Sequence, residues 1–239
     1  MRAITLTTEW SWKDVKRIDI VPSSEEMVSV NFCPNKIAVS PQYFLQGLPG
    51  ALPELYLRRS VFKKILLAAN NLPTGYKFLI YDGWRSIETQ QAIFDIFFNQ
   101  NALSNPKKTT DELTDQTLKI VALPSSDPKK PSPHSTGGSV DVTILDESGI
   151  PLDMGTKFDD SSIASSTAYF EKVDDIITEN RRLLYHVMTE QGFTNYSEEW
   201  WHFDYGNQNW AWVLDKQHAI YSFTMPSFAW QSPFKKSDD

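Results

Sequence analysis

The stretch PSPHSTGGSVDVTI (131–144) sets Val140, Val142 and Ile144 at alternate positions. A period of two constrains the chain strongly: these residues form an extended strand with one face turned to a core. Asp141 places a charge inside that alternation, and His134 stands seven residues before it in a turn rich in Ser, Pro and Gly. A carboxylate in a core strand beside an imidazole on the loop entering it is either ordinary surface chemistry or half of a site.

The flanking sequence supplies further elements. RRSVFKKILLAANN (58–71) carries Val61, Ile65, Leu66 and Ala69 at helical spacing, and Pro73-Thr74-Gly75 turns the chain. YKFLIYDG (76–83) reads as a strand buried on both faces, and MVSVNF (27–32) as a short strand. Ser86 is suited to cap a helix that carries Ala92, Ile93, Ile96 and Phe97 on one side. A polar helix is expected around 109–122, followed by the Pro-laden surface loop 124–133. Residues 174–192 read as a helix ended by Gly192, and the aromatic-rich 193–206 as an extended run. Strands and helices mix without regular alternation, which points to an α+β fold. No internal repeat or long linker divides the chain, so one domain over 1–239 is expected.

The 239 residues are 41% hydrophobic and 22% charged, proportions of a globular protein with a sizeable core. A formal net charge of −7 argues against a nucleic-acid partner, which requires concentrated Lys and Arg. The basic cluster Arg58, Arg59, Lys63 and Lys64 reads as a solvated helix face. Cys33 is the only cysteine, which excludes a disulfide framework and a thiolate metal cage. No signal-peptide core and no bilayer-length apolar run is visible, so a cytoplasmic protein without membrane partners is expected.

Of four histidines, His186 sits in a helix-like run as a packed residue, and His218 has no partner pattern. His202 closes SEEWWHFDYG with Glu199 three residues before it. Zinc in catalytic sites takes three protein ligands and leaves one position open. His134, Asp141 and His202 supply two nitrogens and one oxygen, and Glu199 would be a spare carboxylate able to take a proton from water. The other reading of His202 is an aromatic-flanked core residue. Residues three apart on a straight strand face opposite ways, so joint use of Glu199 and His202 requires irregular backbone there.

Four motifs together resemble the D-alanyl-D-alanine dipeptidases, the zinc enzymes known from vancomycin resistance. They are Ser132, His134, Gly137 and Asp141; Glu199-Trp200-Trp201-His202; Asp82-Gly83-Trp84-Arg85; and Met154-Gly155 with Phe158-Asp159. The resemblance implies a mainly antiparallel sheet flanked by helices, a fold shared with hedgehog-like domains. It implies one Zn²⁺ on His134, Asp141 and His202, Glu199 as acid–base, and Arg85 on the developing oxyanion. It further implies that Asp159 binds the substrate ammonium and that Ser132 lines the pocket. For Arg85 a surface ion pair with Asp82 stays open, as does a turn-capping role for Asp159. The substrate so implied is D-Ala-D-Ala or a close relative, consumed in wall recycling or in removal of the normal precursor.

The chain departs from the family pattern at the substrate rim. Ser86 replaces a Pro, the loop before His134 is longer, DDSSIASSTAY lacks a Ser-His pair, and Asn31-Phe32 is a partial N-terminal element. A D,D- or L,D-carboxypeptidase and a non-catalytic zinc-binding relative are the alternatives.

Overall fold

The computed structural model describes residues 1–5, 10–118, 120–173 and 175–227. In chain order the elements are α1 (Trp12–Val15), β1 (Asp19–Ile20), β2 (Met27–Ser29), β3 (Ile37–Val39), α2 (Gln42–Leu45) and β4 (Tyr56–Arg58). Next come α3 (Arg59–Ala69), β5 (Lys77–Asp82), α4 (Ile87–Ser104), α5 (Thr110–Thr117) and β6 (Ser139–Leu145). The chain continues with α6 (Ile176–Thr189), β7 (Thr194–Asn195), β8 (His202–Asp204), α7 (Gln208–Val213) and β9 (His218–Ala219).

The alternation of Val140, Val142 and Ile144 becomes β6, the middle strand of a five-stranded sheet ordered β3-β5-β6-β8-β7. All its neighbour pairs are antiparallel except β3 with β5, so the α+β class with a mainly antiparallel sheet holds. One face carries Phe78, Ile80, Val140, Val142, Ile144 and Phe203, each fully buried. On it pack Val61, Ile65 and Ala68 of α3 with Leu184, Val187 and Met188 of α6. Removing this much apolar surface from water is the main stabilising term of the domain. The opposite face carries the polar groups of the site, and Tyr43, Ile93, Phe94 and Val121 form a second, smaller apolar cluster.

Helix ends follow local chemistry. Ser86 Oγ accepts from Thr89 N and caps α4, and Thr109 with Glu112 forms a capping box on α5. Gly192, at φ +83°, turns the chain after α6. The expected helices around 109–122 and 174–192 include Lys119 and Asp174, which lie outside the described residues.

Several local expectations are corrected. Arg58 is buried, because its guanidinium donates to Thr136 O, Glu25 O and Ser222 O and lies over the Tyr221 ring. Lys64 likewise donates to Gln191 O, so the basic cluster is no simple solvated face. On α4, Phe94 and Gln90 turn inward with Ile93 while Ile96 is exposed, since the helix leans on the loop at Ala122 and not on the sheet. Strand β5 buries one face fully and the other by half. The run 193–206 is two short strands joined by a turn, not one extended segment.

Candidate metal centre and its cavity

Register places the site. Across β6 and β8, Asp141 pairs with His202, so both side chains project from the same face. Across β5 and β6, Ile80 pairs with Val142 and Asp82 with Asp141, two steps on one strand against one on the other. This bulge at Tyr81 re-aims Asp82. Without it, period two would send Asp82 into the core beside Ile80. Asp82, Asp141 and His202 thus form a row across three strands.

His134 arrives from outside the sheet on a single 3₁₀ turn (His134–Thr136) closed by Gly137 at φ +71°, a left-handed conformation that glycine adopts without strain. Gly138 follows where a Cβ would collide with Tyr205 O. This close approach lets the turn sit directly on β8.

The ring nitrogens fix the chemistry. His134 Nδ1 donates to Gly83 O at 2.7 Å, a carbonyl that can only accept, so Nε2 carries the lone pair. His202 Nε2 lies 3.1 Å from Asp204 Oδ2. That carboxylate also accepts from Ser139, Asn207 and Asn209, which holds it ionised and draws a His202 proton to Nε2, so that Nδ1 is the nitrogen left for a cation. These two nitrogens face each other at 3.1 Å, with Asp141 Oδ1 3.0 Å from His202 Nδ1 and Asp141 Oδ2 3.4 Å from His134 Nε2. Three acceptors, all within 4.8 Å of one another and all buried, converge on one point. With both rings neutral these three atoms are all acceptors; a positive charge among them, a proton on His202 or a metal ion on all three, satisfies them. Zinc ligands at about 2.0–2.1 Å from the metal sit roughly 3.3 Å apart, and two imidazoles with a carboxylate are a donor set zinc accepts.

The surroundings carry surplus negative charge. Burial opposes ionisation of Asp141, but the His134 and His202 rings hold its carboxyl well below the usual carboxylate range. Burial also works against the charge on His202, and Asp204 and Asp141 outweigh it and raise its basicity. Burial raises Asp82 despite the adjacent Arg85.

Glu199 sits in the turn entering β8, where Asn195 Nδ2 clamps both Glu199 O and His202 O. The irregular backbone required to bring residues three apart together is this turn. Its carboxylate lies 4.0 Å from His202 Nδ1 and accepts no hydrogen bond among the described residues. Desolvation pushes its pKa up to about 8.

Arg85 is buried, and its ion pair with Asp82 is an interior one at 2.9 Å, not a surface pair. Four of its N–H groups engage Asp82, Gln90, Tyr43 and Asp141; one on Nη1 remains without a partner among the described residues. Asp159 adopts φ +59° and accepts from Tyr43 Oη at 3.2 Å. Burial raises its pKa to about 7.

His134, Asp141, His202, Glu199, Arg85 and Asp159 all line one cavity of about 460 Å³. Ser132 does not join them. Its hydroxyl donates to Leu123 O and accepts from Ser125 N, tying the long loop together beside a separate cavity of about 110 Å³. His186 is packed in α6 with Nε2 on Arg2 O, and His218 is exposed on β9. Asp204, Asn195, Gln90 and Tyr43 escaped the sequence reading. Only Asp204 carried a signal, since a carboxylate two residues after His202 shares its strand face.

Comparison with known proteins agrees with this site. The D-Ala-D-Ala dipeptidase family model matches residues 57–224. The chain is 31% identical over 183 residues to a D-alanyl-D-alanine dipeptidase of Synechocystis sp., covering 68% of this chain and 74% of that one. It is 33% identical over 131 residues to the enzyme of that name in Escherichia coli, covering 55% of this chain and 56% of the other. To that of Enterococcus faecium it is 28% identical over 148 residues, covering 62% and 69%. On the extent of that family match, and on a relative matched over most of both chains, this protein belongs to the D-Ala-D-Ala dipeptidase family of peptidases.

Proposed function

We propose that the protein is a zinc peptidase that hydrolyses D-alanyl-D-alanine or a closely related dipeptide. One observation carries the catalytic reading: Glu199, a carboxylate without a hydrogen bond among the described residues, hangs 4.0 Å from His202 Nδ1 beside the three converging donor atoms. A purely structural cation site has no use for such a free base.

His134, Asp141 and His202 would hold one Zn²⁺, which supplies Lewis acidity and brings the pKa of a water from about 15.7 toward about 7. Glu199 takes the proton of the attacking water and delivers it to the departing amine. A cation at the neighbouring donors draws its pKa down from about 8 toward the range where it accepts a proton at neutral pH. The unpartnered Nη1 N–H of Arg85 faces the developing charge on the carbonyl oxygen, and Asp82 and Gln90 hold the guanidinium so that it need not reorganise. Asp159, in the lining of the same cavity, pairs with the substrate ammonium. Trp201 and Phe158, whose rings meet at 5.5 Å, pack beneath it. Ser132, held in its loop, is left without a substrate contact.

A cavity of about 460 Å³ suits a small ligand. A dipeptide offers two terminal charges and little else, and pairing its ammonium with Asp159 disfavours chains extended at that end. The compartment expected from the sequence, the cytoplasm, and a role in peptidoglycan turnover belong to this proposal; no helix among the described residues is long and apolar enough to cross a membrane.

The test couples metal analysis to a panel of L,L, L,D and D,D dipeptides beside a wall pentapeptide. One zinc per chain with D,D-dipeptide turnover abolished by chelator is the expected result. Preference for the pentapeptide would move the assignment to a carboxypeptidase.

A further inference from the structure

Tyr43 lies before the stretch shared with the family, in a segment that adds β3 to the sheet edge and then forms the single turn of α2. Its side chain crosses into the cavity and is 6% exposed. The hydroxyl accepts from Arg85 Nη2 at 3.2 Å and donates to Asp159 Oδ1 at 3.2 Å. The ring lies under the same guanidinium, 4.6 Å from the centroid to Arg85 Cζ. Phe158, the neighbour of Asp159, packs on it at 5.9 Å. One phenol thus touches both the group assigned to the scissile carbonyl oxygen and the group assigned to the substrate ammonium.

We infer that Tyr43 is a positioning residue that sets the spacing between Arg85 and Asp159 and favours the ionised form of Asp159 that an ammonium group requires. This rests on the dipeptidase reading above and deepens it. A phenol has one O–H to give. With Arg85 supplying the hydrogen bond it accepts, that O–H is directed to Asp159. Burial holds the phenol protonated, so it remains a donor across the working pH range. Arg85 also favours the ionised form through its charge, but among the described residues the hydrogen bond to Asp159 comes from Tyr43. A hydrogen bond to the ionised form of a carboxyl favours that form. The charged and titratable groups facing Asp159 are Tyr43 from α2, Asp82 from β5, Arg85 after it, Asp141 from β6 and Glu199 from the turn before β8. A Tyr43→Phe change alters only the first of them and keeps the ring beneath Arg85.

Steady-state hydrolysis of D-Ala-D-Ala across pH, in wild type, Tyr43→Phe, Asp159→Asn and the double variant, tests this. Expected is a rise of about tenfold or more in KM for Tyr43→Phe, the loss of one hydrogen bond to a charged group, with a smaller change in kcat. Metal content stays at the wild-type level, and the acidic limb of kcat/KM moves to higher pH. In the Asp159→Asn background the same change adds little to KM, because the two act through one contact. Unaltered KM and acidic limb in Tyr43→Phe overturn the inference while leaving the dipeptidase reading intact. Failure of Tyr43→Phe to fold, seen by circular dichroism, also overturns it by assigning Tyr43 to the fold. A metal-loaded wild type inactive on every dipeptide sinks the functional reading and this inference with it.

Discussion

Asp82 and Asp141 stand opposite each other in the register of β5 and β6, and Arg85 joins them. Its Nε donates to Asp82 Oδ2 at 2.9 Å and its Nη2 to Asp141 Oδ2 at 3.3 Å. Asp82 Oδ2 also lies 3.3 Å from His134 Nδ1. One carboxylate therefore pairs with the Arg85 cation and lies beside the His134 ring, whose Nδ1 hydrogen goes to Gly83 O.

Asp82→Asn keeps the shape and removes the charge. Groups that orient ligands typically influence metal affinity by about 10–100-fold. Zinc affinity measured by competition with a chromogenic chelator should fall by that factor. Unchanged affinity would confine Asp82 to neutralising Arg85.

Glu199→Ala should lower kcat by about 10²–10⁴-fold, the range for a positioned acid–base group. Zinc content should be unchanged, because the carboxylate is not among the converging donors. Folding stability should change little or rise, since removing a desolvated carboxyl relieves a cost. Full turnover by the variant would end its assignment as the base.

Chelation should destabilise the fold as well as stop turnover. Three buried acceptors are left facing one another when the cation goes. Ligand linkage gives about 4 kcal/mol at a thousandfold excess over Kd. For a chain of this size that is roughly 8–16 °C in Tm. Scanning calorimetry with and without zinc measures it, and His202→Ala should abolish the difference.

Asp159 sets a pH dependence. Burial raises its pKa from 3.8 to about 7, so the folded state binds this proton more tightly than the unfolded chain. Its contribution to stability is therefore complete below about 3.8 and is lost as pH rises toward about 7. Substrate binding runs the other way, because the ammonium pairs only with the ionised form. KM for a dipeptide should fall as pH rises through about 7. In Asp159→Asn that fall should vanish and KM should stay high; a persisting pH dependence would assign the titration elsewhere.

Much of the fold is written in short-range patterns. The alternation of Val140, Val142 and Ile144 announces β6, the spacing of Val61 and Ile65 announces α3, and Ser86 announces the start of α4. Such signals are local because dihedral period and capping bonds span only a few residues. The motif residues His134, Asp141 and His202 were likewise visible as a donor set, and the irregular backbone at Glu199 followed from strand geometry alone. The signals that misled were also local. Ile96 fits the apolar stripe of α4, and Arg58 sits among basic neighbours, yet what each side chain meets lies far away in sequence.

By itself, then, the sequence determined which segments extend, which coil, and which side chains are able to bind a cation. Only the tertiary structure decided that a bulge at Tyr81 turns Asp82 to the site, that Ser132 stays outside the cavity, and that Tyr43 reaches Arg85 and Asp159. The reason is physical: register and long-range approach are set by how whole elements pack, and a shift of one residue along a strand reverses the face on which every side chain stands.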